Sequence, residues 1–129
     1  MQVELVAADR LVWSGEAKMV VARTTEGDVG ILPDHAPMLA LMVDGIVDVT
    51  TTAGEPWVAA VDAGFLSVAA HRISILSEHA EMSHDVDLEV ARADLERARA
   101  AGEHDDEAEQ AATRAWAEAR IRAAEHSTT

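Results

Sequence analysis

Residues Gly27–Pro37 read GDVGILPDHAP, with two glycines, two prolines, two aspartates and a histidine in eleven positions. The spacing Gly27-x-x-Gly30 looks like a phosphate-binding turn. Such a cradle needs a helix start behind the glycines and usually a lysine or arginine nearby. Here the extended Ile31-Leu32-Pro33 follows, and Asp28 and Asp34 would repel phosphate. Glycines at backbone corners are the better reading. His35 beside Asp34 suggests a general base, but that role needs a positioned partner and a nucleophile or substrate pocket. No Gly-x-Ser-x-Gly element and no cysteine accompany it. The stretch reads as a structural corner between strands.

Outward from this corner the chain has two kinds of punctuation. Residues up to about His84 hold all three prolines and six of the seven glycines, and beyond Asp85 only Gly102 remains. The first half reads as short strands: QVELVA, AKMVVART after a Ser14-Gly15 turn, GIVDVTTT and PWVAAV around Ala53-Gly54-Glu55, then FLSVAA and RISILS around Ala70-His71. Many short strands at near-regular spacing predict an antiparallel sandwich or flattened barrel over residues 1–84. The run Met19-Val20-Val21 predicts a strand covered on both faces.

Residues 85–129 predict an antiparallel two-helix hairpin. Leu88, Ala91, Leu95 and Ala98 recur at helical spacing, with Asp85 or Asp87 as cap. Gly102 ends that helix, Asp105 or Asp106 caps the next, and Ala108, Ala112, Ala115 and Ala119 form its stripe beside Trp116. Pairs Glu89–Arg92, Asp94–Arg97 and Glu118–Arg122 would each add about 0.2–0.5 kcal/mol. Alanine contacts bury little area, so the hairpin is expected to clasp weakly.

The totals narrow the function. Hydrophobic residues are 49% and aromatics 3%, so the core must be aliphatic. The absence of cysteine excludes disulfides and thiolate metal sites. A net charge of -14 disfavours nucleic acid and anionic membrane surfaces as direct partners. The start MQVELVAADR has no basic region of a signal peptide, and no apolar run approaches the roughly 20 residues of a membrane span. A soluble chain that can dock on a membrane complex is expected. SEHAEMSHDVD gathers His79, Glu81, His84, Asp85 and Asp87, but its histidine spacing fits no common zinc pattern; it reads as a solvated linker, with no metal. EHDDE lacks the ligand spacing and glycine of a calcium loop. No catalytic site is found.

A strand-rich half carrying EGDVGILPDHAP, with WSGEA at 13–17 and AGFLSV at 63–68, followed by two helices, resembles the epsilon subunit of bacterial F-type ATP synthase over essentially the whole chain. The wording is most similar to actinobacterial members. The resemblance implies a non-catalytic central-stalk subunit on the cytoplasmic face of the cell membrane, coupling proton-driven c-ring rotation to ATP synthesis through gamma. It implies contact with the rotor and c-ring through Glu26, Gly27, Asp28, Gly30, Pro33, His35 and Pro37. The hairpin would inhibit ATP hydrolysis, with Arg114, Arg120 and Arg122 meeting an acidic segment of the beta subunit in the alpha/beta head. Some relatives bind ATP through Ile/Leu-Asp-x-x-Arg-Ala. The matching Val86, Asp87 and Ala91, with Glu81, Arg97 and Arg114, form a vestigial set, because Val90 and Glu118 stand where relatives have arginines. Millimolar ATP binding or none is expected, and no cofactor. The rival expectation is a small-ligand-binding sandwich with a helical lid, which would need a concave site with convergent polar groups.

Overall fold

The computed structural model describes residues 1–100 and 107–127, with side chains described at 1–100 and 111–126. Eight strands come first: β1 (Gln2–Ala7), β2 (Arg10–Thr24), β3 (Gly27–Ile31), β4 (Met38–Thr51), β5 (Pro56–Val61), β6 (Gly64–Ala69), β7 (Arg72–Ser77) and β8 (Ala80–Met82). A single 3-10 turn, Ser83–Asp85, leads to helices α1 (Leu88–Ala100) and α2 (Glu107–Ser127).

The strands run in the order β3-β2-β1-β7-β6-β4-β5-β8, and a further β2–β4 pairing closes them into a flattened barrel. Two long strands make the closure. The first half of β2 pairs with β1 and its second half with β4. The first half of β4 pairs with β6, and its second half with β5. Alternation supplies the inner face: Val3 and Leu5 on β1, Val20 on β2, Leu66 on β6, and Ile73 and Ile75 on β7 are all buried. Ala70 and His71 both have positive φ (49° and 66°), the geometry a two-residue hairpin loop requires. Gly54, at φ 90°, serves the β4–β5 turn.

Several expectations are corrected. The sheet is not wholly antiparallel, because β1 lies parallel to β7. Ser14 and Gly15 make no turn but lie within β2, where Gly15 pairs with Val3. A Cβ on Gly15 would sit 3.0 Å from the Trp13 ring, so this glycine makes room for the indole. Met19 is exposed, while its neighbour Val20 is fully buried. The strand covered on both faces is β5 instead: Ala59 and Val61 point into the barrel, and Val58 and Ala60 lie under α2. The stretch expected to be a solvated linker contains β8, whose Ala80 and Met82 join the core because β8 pairs with β5.

The helices form the expected hairpin. Arg92 pairs with Glu125 and Asp94 with Arg120, so they run antiparallel. Asp87 is the cap: its Oδ1 accepts from the Val90 amide at 3.2 Å. Ala91 and Ala98 are buried, as the stripe predicts. On α2 the buried alanines are Ala117, Ala119 and Ala123, whereas Ala112 is exposed. The helix rests on the sheet through Ala119 and Ala123 against Val58 and Ala60, with Ile46 and Trp116 at the margin. The expected ends at Gly102, Asp105 and Asp106, and the side chain of Ala108, lie outside the described residues.

Candidate functional site

The corner stretch is half strand, half loop. At the β2–β3 turn, Thr24 Oγ1 donates to the Gly27 carbonyl (2.8 Å) and accepts from the Glu26 amide (3.1 Å). Gly27 has φ 112°, a conformation that favours glycine. Gly30 is different. It lies in β3 opposite Val21, and a Cβ there would meet nothing, so the chain's own packing does not require it to be small. Asp28 is cross-strand partner to Arg23, whose Nε donates to it at 3.3 Å. The acid therefore stands beside its own counter-charge. Ile31, fully buried, anchors the exposed run from Leu32 to Pro37. Within that run Asp34 takes φ 69°, and the His35 amide donates to the Leu32 carbonyl at 3.2 Å. His35 Nδ1 is 2.7 Å from the Ala36 carbonyl, and Asp34 Oδ1 is 3.6 Å from Nδ1 of His71 in the β6–β7 turn. Glu26, Gly27, Asp28, Gly30, Pro33, His35 and Pro37 are thus all exposed around one hairpin and the loop that follows it.

The residues matched to a nucleotide motif have other duties here. Asp87 caps α1, and Ala91 is fully buried within the helix pair. Val86 ends the 3-10 turn. Glu81, on β8, is ion-paired to Arg120 at 3.2 Å. Arg97 is paired to Asp94. Arg114 is exposed on α2, six residues before Arg120, which is about 9 Å along a helix axis. Of the arginines expected to reach a partner, Arg114 and Arg122 are exposed but Arg120 is not. Arg122 lines a crevice of about 230 Å³ with Arg23, Asp28, Asp48 and His126. His126 Nε2 lies 2.9 Å from Asp48 Oδ2, joining the end of α2 to β4.

A second crevice, of about 560 Å³, lies between the barrel and α2 and includes Asp44, Asp62, Glu78, His79 and Trp116. Asp62 Oδ2 is 2.6 Å from His79 Nδ1, and its Oδ1 accepts from Ser77 Oγ and the His79 amide. That carboxylate hydrogen bond holds the His79 pKa above its ordinary value. Burial pushes the Asp44 carboxyl up, against the hydrogen bond from the Ala63 amide. His79 also faces Trp116 at 5.7 Å between ring centres. The polar groups converge on one another rather than on an open centre, which weighs against the lidded ligand-binder.

Sequence reasoning missed one feature. Leu11, Val6, Leu76, Phe65 and Leu41 are successive cross-strand partners on β2, β1, β7, β6 and β4. They form an in-register apolar row on the outside of the barrel. Leu11, Leu76, Phe65 and Leu41 are 57, 47, 48 and 52% exposed, and Leu39, two residues before Leu41, is 72% exposed. The described residues of the hairpin cover β5 and the second half of β4 and leave this row open. The available signal was adjacency: Phe65-Leu66 and Ile75-Leu76 put apolar side chains on both faces of strands with only one face in the core.

A family model described as the ATP synthase Delta/Epsilon chain beta-sandwich domain matches residues 1–83. The ATP synthase epsilon chain of Streptomyces avermitilis is 52% identical over 103 residues, covering 80% of this chain and 83% of that protein. The ATP synthase epsilon chain of Rhodococcus opacus is 51% identical over 96 residues, covering 74% and 79%. Among solved structures, a chain of the Euglena gracilis mitochondrial ATP synthase OSCP/F1/c-ring assembly superposes with a TM-score of 0.73 at 24% identity, over 98% of this chain and 80% of that one. A chain of the Tetrahymena thermophila mitochondrial ATP synthase central stalk/c-ring gives 0.64 at 18% identity, over 100% and 96%. At these identities the two structures speak for the fold alone.

Proposed function

The chain belongs to the ATP synthase epsilon-chain family, a non-catalytic subunit of that membrane-bound complex, and from this premise we propose that the barrel docks gamma through the apolar row of Leu11, Val6, Leu76, Phe65 and Leu41. The row is the observation that carries the reading. Soluble surfaces rarely expose contiguous apolar stripes unless something covers them, and here the described residues of the hairpin do not.

The exposed hairpin and loop from Glu26 to Pro37 are then the contact to the c-ring on the cytoplasmic side. The positive-φ residues Gly27 and Asp34 set the loop's shape. Asp28 offers a charge that a basic loop can share with, or take from, Arg23. Residues 1–84 act as the coupling body. Residues 85–129 act as a regulatory hairpin that leaves the barrel to obstruct hydrolysis, with Arg114 and Arg122 already exposed for the beta subunit.

The test is assembly with purified gamma. Phe65 is 48% exposed, leaving about 100 Å² of a phenylalanine's roughly 200 Å² to be covered, worth about 2.5 kcal/mol. Phe65→Ala should therefore weaken gamma binding about 60-fold, and Leu41→Asp should weaken it more. Unchanged affinity in both variants would overturn the assignment.

A further inference from the structure

Among the described residues, Arg120 stands where barrel, first helix and second helix meet through charge. Its Nη2 donates to Glu81 Oε1 of β8 at 3.2 Å, and its Nη1 donates to Asp94 Oδ2 of α1 at 3.3 Å. The side chain is only 13% exposed, against 25% for Glu81 and 28% for Asp94. The two carboxylates are 13 residues apart in sequence and come from different elements. Neither can satisfy the other; Asp94 also pairs with Arg97 through its other oxygen, and the Arg120 guanidinium is the cation that bridges the two carboxylates.

The rest of the seat is modest. Ala119 and Ala123 rest on Val58 and Ala60 with Ile46 and Trp116 at the margin, alanine side chains carry little area, and the His126–Asp48 contact at the end of α2 is a partly exposed pair. We propose that Arg120 is a charge latch: by closing on Glu81 and Asp94 together it fixes the hairpin on the barrel, and neutralising any one of the three frees α2 while the barrel stays folded.

The physics of partly buried ion pairs supports a latch rather than a glue. Such pairs add little net stability over apolar groups of the same shape, yet removing one partner is costly because the others are left charged and poorly hydrated. Arg120 Nε is buried with no hydrogen-bond partner among the described residues, so the closed state is not fully satisfied. The latch is therefore positioned to specify one seat without making release prohibitive. Where the hairpin acts as proposed above, an acidic partner segment would open it by exchanging its own carboxylates for Glu81 and Asp94. That consequence rests on the inhibitory reading; the latch itself is a property of the isolated chain.

The experiment is amide hydrogen exchange on the full chain, read separately over α2 and over β1, β6 and β7. Arg120→Gln should accelerate exchange in α2 roughly ten- to hundredfold and leave the strands unchanged. Glu81→Gln and Asp94→Asn should each do the same in part. Glu81→Gln added to Arg120→Gln should release α2 no further, since the pair acts as a unit. Exchange in α2 that is unchanged by Arg120→Gln, or effects that simply add, would overturn the proposal. Should Arg120→Gln also expose the strands, Glu81→Gln decides: α2 released over an intact barrel supports the latch, and unchanged α2 refutes it.

Discussion

Gly64→Ala should be among the most damaging single substitutions in the barrel. An added Cβ would lie 1.9 Å from the Leu76 carbonyl oxygen, 2.9 Å from its carbon and 3.0 Å from Ser77 Cα. All three are backbone, so no side chain can rotate away. Reaching even 3.0 Å from the oxygen requires β6 and β7 to part by about 1.1 Å (3.0 less 1.9). Neighbouring strands sit about 4.8 Å apart, so that displacement breaks the ladder around Gly64↔Ser77 and Phe65↔Leu76. Two backbone hydrogen bonds at about 1 kcal/mol each, with about 1–3 kcal/mol of misfit beside the fully buried Leu66 and Ile75, give about 3–5 kcal/mol. Against a typical domain stability of about 5–15 kcal/mol, that is a lowering of the melting temperature by roughly 15 °C or more. The measurement is thermal unfolding by circular dichroism, with Gly30→Ala as control. Gly30 has ordinary φ and open space around a Cβ, so its variant should melt within a few degrees of the parent. The steric argument is refuted if Gly64→Ala melts with the parent, or if the control is equally damaging. Phe65 and Leu76 are the pair that must part, so surviving Gly64→Ala protein should also bind gamma poorly.

Other expectations follow from the same geometry. Because Asp62 raises the pKa of folded His79, its contribution is complete below the unfolded value near 6.5 and is lost as pH rises through the folded value. Stability should therefore decline slightly through that window, by well under 1 kcal/mol because the His79 side chain is 60% exposed, and His79→Gln should flatten the decline in urea titrations at stepped pH. Isothermal titration with ATP should show a Kd in the millimolar range or no heat, about −4 kcal/mol or weaker; micromolar binding would mean that Arg97, Arg114 or another group compensates for the arginines replaced by Val90 and Glu118. Residues 1–84 alone should unfold cooperatively despite uncovering Val58 and Ala60, and a non-cooperative melt would tie the barrel's integrity to the hairpin. In reconstituted enzyme, removing residues from Asp85 onward should raise ATP hydrolysis and leave assembly intact, with the difference shrinking at high salt; equal rates at every salt concentration would remove the inhibitory role.

Local chemistry determined the parts. Alternation placed β1, short apolar runs around Ala70-His71 and Ala53-Gly54 placed β5, β6, β7 and two turns, and helical spacing with Asp85 or Asp87 as cap placed α1. Each of these depends on neighbours within a few residues, and their order was enough to expose the family resemblance. What joins to what was decided only in three dimensions. The parallel β1–β7 pair joins residues some seventy apart, and β2 runs straight through Ser14-Gly15 because β1 offers it a ladder there. The apolar row exists only once five strands fall into register, since no single strand shows more than one or two of its members. Arg120 looked from its sequence like one more exposed basic residue on a helix. Its partners lie 39 and 26 positions away, so only the packing of α2 across β8 and α1 turns a charge meant for solvent into one enclosed between two carboxylates.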